Sequence, residues 1–245
     1  MSNHITSSIV SLEKRGYIEH IDNTPYLMLS KQELLVLLKD QLAIHRTLAT
    51  RAFTVLKMKD SDIEDTILDL FLKEKALYTR LELSNYLSLG DEKTAKKLIP
   101  HLATLKCNQY TIPPTNVSKK KSYPLARDLI ARTLSRMDIT VFPVLLDSSS
   151  TIEKDKLSEL IDAIGYHCFY HQEIASVEVF DRLYRCYKEN EDYPIIRYKL
   201  ITAFSAFPFS KVKKLLYQII NQFPETIFEK EANRSLSLLP KNEVE

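Results

Sequence analysis

Three glycines in 245 residues, Gly16, Gly90 and Gly165, set the tightest limit on what this chain can fold into. Hairpin turns and bulges use glycine for positive φ, and phosphate-binding loops use it for close backbone approach. A chain so far below the usual ~7% glycine has few such positions to offer. What it has in quantity is Leu, Lys, Glu and Ile, residues at home in helices. Hydrophobic residues make up 44% and charged residues 27%, the balance of a folded chain rather than a disordered one. The expected class is all-α, with enough length to bury a core without disulfides or metals.

The same features exclude several function classes. Isolated glycines cannot build a phosphate-cradling loop, and no Gly-x-Ser-x-Gly elbow is present. A net charge of +2 removes the global electrostatic argument for nucleic acid. Cys107, Cys168 and Cys186 form an odd, widely spaced set, expected to be reduced thiols. No signal peptide and no apolar run of ~18 residues is evident, so the expected setting is cytoplasmic, without a membrane partner. The sequons at Asn116 and Asn233 carry no meaning there.

Apolar periodicity predicts helix after helix from residue 31. Ile44, Leu48, Ala52 and Val55 share one face. Ser61 with Glu64 reads as a capping box for a helix whose buried stripe is Ile63, Ile67, Leu70 and Phe71. A helix near 76–89 stops at Gly90, a candidate for the left-handed C′ position, and Asp91 caps the next helix. Residues 107–122, with Pro113-Pro114 and Lys119-Lys120-Lys121, read as an exposed inserted loop. Helices are expected to resume near 124–136, 139–147, 153–168, 173–189, 194–206, 210–222 and 225–238. Ser150 with Glu153 is a second capping box, and Ser210 and Pro224 mark helix starts.

Self-similarity is the strongest signal. Tyr123-Pro124-Leu125-Ala126-Arg127 recurs 70 positions on as Tyr193-Pro194-Ile195-Ile196-Arg197, and Arg46 and Arg80 fall in the same slot 34 apart. Small or apolar residues follow each arginine at fixed intervals: Ala49, Ala52 and Phe53; Leu83, Tyr86 and Leu87; Ile130, Thr133 and Leu134; Leu200, Ala203 and Phe204. The series resembles HEAT and HEAT-like repeats, including the form in bilin-lyase-type proteins, over roughly residues 40–240. The resemblance implies a right-handed α-α superhelix of about five to six helix pairs, each stacking on its neighbours because one pair cannot bury its own apolar face. Residues 1–30 are then a capping segment, 31–240 one solenoid, and the repeated arginines either bridge adjacent units or lie solvated. Gly16 and Tyr17 after Leu12–Arg15, with Tyr26–Leu29 as a returning strand, also fit a winged-helix wing; the alternative is a helix and loop that cover the first repeat.

The resemblance implies a non-enzymatic scaffold that binds a protein or peptide partner on its concave surface, which second helices line. Lys93, Lys96 and Lys97 on one such helix, Lys213 and Lys214 on another, and Lys119, Lys120 and Lys121 in the loop are the candidate partner-binding residues, set against the plainer reading of solvated faces. A nucleic-acid partner is the alternative, because HEAT-like alkylpurine DNA glycosylases are of similar size; those rely on tryptophan, and this chain has none. A bilin-lyase-like chaperone is a third. No catalytic residue or cofactor is expected. His167, Cys168 and His171 have helical spacing for a metal, but no second ligand cluster stands out, which favours a structural role.

Overall fold

The computed structural model describes residues 9–105 and 109–239. They divide into two compact units, one ending at Gly90 and one beginning at Asp91. Every regular element among them is helical, the class expected from the scarcity of glycine: fourteen α-helices and three short 3-10 helices, with no strand. None of these helices is long and apolar enough to cross a membrane.

The first unit contains α1 (Ile9–Glu13), α2 (Thr24–Leu27), α3 (Lys31–Leu37), α4 (Ala43–Val55), α5 (Ser61–Lys73) and α6 (Leu77–Ser88). A capping box that the sequence reading passed over starts α3: the Ser30 side chain accepts from Glu33 N, and Glu33 accepts from Ser30 N at 2.8 Å. The cap of α5 is Asp60 and not Ser61, because the Asp60 carboxylate reaches the N–H groups of both Asp62 and Ile63 at the positive end of the helix dipole. Helix α4 packs on α2, α3 and α6, and α6 packs on α5, burying Leu34, Phe53, Ile67, Phe71 and Leu83.

Residues 9–30 lie against this group. Arg15 O accepts from Tyr78 N at 2.9 Å, and Arg51 bridges Glu19 and Glu82. The approach is close enough to require Gly16, which has φ of 85° and where a Cβ would strike the Thr47 and Thr79 hydroxyls. Thr24–Leu27 is helical, started by Pro25 in its first turn, so no wing strand forms there. Gly90 does not take the left-handed conformation; its N–H closes a turn onto Leu87 O at 3.1 Å.

Glu74 is the hub of the first unit. Its carboxylate takes a bidentate pair from Arg46 (2.7 and 2.9 Å) and accepts from the N–H groups of Lys75 and Ala76, while its carbonyl accepts from Arg80. Arg46 also donates to Asp40 O, six residues upstream, as Arg80 does to Glu74 O. The arginine slot of the sequence repeat therefore holds down the turn that leads into each helix.

The second unit contains α7 (Glu92–Leu98), α8 (Leu129–Leu134), α9 (Phe142–Ser148), α10 (Lys154–Tyr170), α11 (Val177–Glu189), α12 (Pro194–Phe204), α13 (Ser210–Gln222) and α14 (Ile227–Leu238). Asp91 caps α7 as expected. Helix α12 packs on α10, α11 and α14, and α13 packs on α14. Thr226, rather than Pro224, caps α14. Ser150 lies in a turn, and α10 starts after Glu153 without a side-chain cap.

The two Tyr-Pro-x-x-Arg copies part company here. Pro194 opens α12, but Pro124 precedes no helix: α8 starts at Leu129, because Asp128 caps it through Ala131 N at 2.8 Å. Arg132, not Arg127, then takes the arginine slot, donating from Nε and Nη2 to Ala126 O six residues upstream. Arg197 has another job, lying buried between the rings of Tyr187, Phe223 and Phe228.

Removing the Glu74 charge tests the hub. Burial alone would raise its pKa, but Arg46 and two backbone N–H groups outweigh burial and hold it below the ordinary carboxylate range. That stabilisation is full above about pH 5 and is lost as pH falls through the folded-state pKa. Glu74→Gln is expected to cost about 3 kcal/mol at pH 7. Urea unfolding at pH 7 and pH 3 checks this: the gap between the two proteins should narrow at pH 3, and a gap independent of pH would show that the carboxylate charge is not what holds this turn.

Candidate functional site

A cavity of about 670 Å³ lies within the second unit, walled by α10, α12, α14 and residues 110–127. That volume falls in the ordinary range for ligand sites. Its floor is polar because three helices place charged residues on faces that would otherwise be apolar. On α12 the buried stripe is Ile196, Lys199, Leu200 and Ala203, with spacings of three and four; Lys199 sits within it at 5% exposure. Its Nζ meets Glu159 Oε1 at 2.8 Å and Asp162 Oδ2 at 3.0 Å, both on α10.

On α14, Glu231 and Arg234 occupy the equivalent stripe beside Ala232 and Ser235. Glu231 accepts from Thr202 Oγ1 at 2.9 Å, from Tyr198 Oη at 3.2 Å and from Arg234 Nη1 at 2.9 Å. Burial raises the carboxyl pKa of Glu159 and Asp162 more than Lys199 lowers it, and burial does the same to Glu231 against Arg234. For Lys199, burial acts downward, but Asp162 and Glu159 outweigh it and leave the ammonium pKa above its ordinary value.

Arg234 does a second thing. Its Nε donates to Ser118 O at 3.0 Å, and its Nη2 donates to Lys120 O at 3.2 Å and Ser122 O at 2.8 Å. Three carbonyls of the inserted loop converge on one guanidinium, so the loop curls around α14 and becomes a wall of the cavity. Lys119, Lys120 and Lys121 are exposed, as expected, but the backbone that carries them is held down. Beyond them, Tyr123 is buried, and its ring lies so close to α10 that a Cβ at Gly165 would overlap the hydroxyl. That hydroxyl has no hydrogen-bond partner among the described residues.

Tyrosines line the remaining walls. The Arg127 guanidinium covers one face of Tyr110 at 3.9 Å. Tyr166 meets Tyr123 edge-on and lies 4.6 Å from Tyr170, which is 48% exposed.

Of the eight lysines singled out from the sequence, Lys120 lines this cavity, with Lys119 and Lys121 beside it on the chain. Lys93, Lys96 and Lys97 lie on α7, which packs on α8 and α9; Lys93 and Lys96 are exposed and Lys97 is half-buried. Lys213, half-buried, and Lys214, exposed, lie on α13. His167 is buried, with Nε2 donating to Leu134 O at 3.0 Å, and burial lowers its pKa. Cys168 is buried, and burial raises its thiol pKa. No group of three or more metal-ligating side chains is present among the described residues. Cys168 and Cys186 are free thiols, while Cys107 lies outside the described residues.

The residues that build the site, Glu159, Asp162, Lys199, Glu231 and Arg234, were not singled out from the sequence. The signal was there: Lys199 interrupts an apolar run at helical spacing. No family profile, no curated protein and no solved structure matches the chain.

Lys199→Met should leave two carboxylates buried without their cation. The expected cost is about 3–5 kcal/mol at pH 7.5. Without the ammonium, both folded-state carboxyl pKa values rise further above their unfolded values, so the native state takes up protons as pH falls. The deficit relative to wild type should shrink between pH 7.5 and pH 5 in denaturant unfolding. A deficit below about 1 kcal/mol at pH 7.5 would show that the cluster is not a structural post.

Proposed function

We propose that this chain is a non-enzymatic helical-repeat binding module of the HEAT-like kind, a right-handed superhelix of stacked helix pairs, and that it captures a protein or peptide partner in the cavity of its second unit. The observation that carries this reading is the state of the cavity's charged groups. Lys199, Asp162, Glu231 and Arg234 are engaged with one another, with neighbouring side chains and with loop carbonyls. Such groups hold a shape; they are not poised to exchange protons with a substrate. The walls around them are phenol rings, which offer large, rigid contact area at low entropic cost.

The repeat reading draws support from the spacing of polar contacts between helices. Thr47 meets Thr79, His167 meets Leu134 O, Gln172 meets Ala206 O and Ser235 meets Ile201 O, at sequence separations of 32, 33, 34 and 34. Separations that recur near one helix-pair length are what stacked pairs produce.

A photo-crosslinking residue in place of Tyr170, compared with one in place of the exposed Tyr217 on α13, tests the reading. In native cell lysate, split into nuclease-treated and untreated halves, a discrete protein adduct is expected at position 170, absent at 217 and unaffected by nuclease. Adducts to nucleic acid, or the same adducts at both positions, would overturn it.

A further inference from the structure

Resting on that reading, we infer that the segment docking in this cavity is an acidic peptide, its carboxylates held by the Lys119–Lys121 rim and by tyrosine hydroxyls, with an apolar side chain seated between the rings. Four cationic residues line the cavity, Lys120, Arg127, Lys199 and Arg234, against two carboxylic ones, Asp162 and Glu231. Both carboxyls are already engaged, Asp162 by Lys199 and Glu231 by Arg234, Thr202 and Tyr198. Glu159 also offsets Lys199, so the cavity keeps a surplus of one positive charge, to which Lys119 and Lys121 add on either side of Lys120 in the chain. The ammonium groups of these three exposed lysines make no hydrogen bond or ion pair among the described residues. They are also preorganised, because Arg234 fixes the backbone carbonyls of Ser118, Lys120 and Ser122.

The interior separates an acidic peptide from nucleic acid. Base stacking needs open ring faces. Here one face of Tyr110 is covered by Arg127, while Tyr166 is in contact with both Tyr123 and Tyr170. The hydroxyls of Tyr110, Tyr166 and Tyr170 have no internal partner among the described residues, which leaves three donors for carboxylate or backbone carbonyl oxygens. Leu125 and Pro114 add apolar surface to the lining. Carboxylates beside the three lysines, with an apolar anchor against the rings, match this arrangement.

The test uses the purified full chain and fluorescence polarisation. The probes are a set of labelled peptides of about ten residues, with Glu or Asp alternating with Leu, Phe or Tyr. Counterparts with every acid replaced by Lys, and an oligothymidylate of similar length, complete the comparison. Acidic members are expected to bind, to lose affinity as salt rises, and to lose about tenfold or more in the triple variant Lys119→Ser, Lys120→Ser, Lys121→Ser. Those side chains are exposed, so the variant should keep its fold, checked by circular dichroism. Tyr170→Ala should weaken the same peptides. Equal binding by the Lys counterparts, no binding by any acidic peptide, or tighter binding by the oligothymidylate would overturn the inference. A protein adduct at position 170 with no acidic peptide bound would leave the broader reading standing and this inference refuted, whereas no protein adduct there refutes the broader reading.

Discussion

A lysine ammonium buried between two carboxylates holds the second unit in register. Two apolar helices can slide past one another with little change in buried area. Lys199, held by Glu159 at 2.8 Å and Asp162 at 3.0 Å, fixes α12 against α10 at one setting. Glu231, held by Thr202 and Tyr198, fixes α14 against α12 in the same way. Such pins add less stability than apolar residues of equal volume would, since each ion has lost its water. What they supply is position, and the cavity depends on it.

Position then passes outward. With α14 fixed, Arg234 faces the inserted loop and gathers three of its carbonyls. With α10 fixed, Gly165 leaves a gap for the Tyr123 ring, and Tyr166 and Tyr170 stand one turn apart on the wall. The later part of that loop, ordinarily costly to order, is held by the Arg234 guanidinium at Ser118, Lys120 and Ser122 and by the buried Tyr123 ring that follows them. The first unit uses similar chemistry on a smaller scale, where Glu74 joins the turn before α6 to Arg46 on α4.

Most of the helical order was legible in the sequence. Ile63, Ile67 and Phe71 announced α5, Asp91 announced α7, and the scarcity of glycine pointed to helix over sheet. The errors came where two local signals competed. At α5, Asp60 outbid Ser61 for the cap because it reaches two N–H groups. At α8, a proline-arginine pattern pointed to a start at Pro124, but Asp128 offered a cap and Arg132 offered the carbonyl-binding slot, so the helix begins five residues later. The cavity was not legible, for a different reason. Lysine runs at the surface draw the eye, whereas single charged residues on apolar stripes, Lys199 and Glu231, look like noise until the neighbouring helix shows what pairs with them. Arg234 contacts carbonyls more than a hundred positions away, and no local pattern encodes that.

A buried arginine holds the lysine loop as a wall of the site. Limited trypsin digestion reads it directly, because Lys119, Lys120 and Lys121 are exposed cleavage points on a tethered backbone. Arg234→Lys keeps a cation beside Glu231 but cannot span three carbonyls. Wild-type protein is expected to resist cleavage in this loop, and Arg234→Lys to be cut there on the order of tenfold faster, with its circular dichroism unchanged. Equal rates in the two proteins, or rapid cleavage of wild type at these lysines, would contradict it.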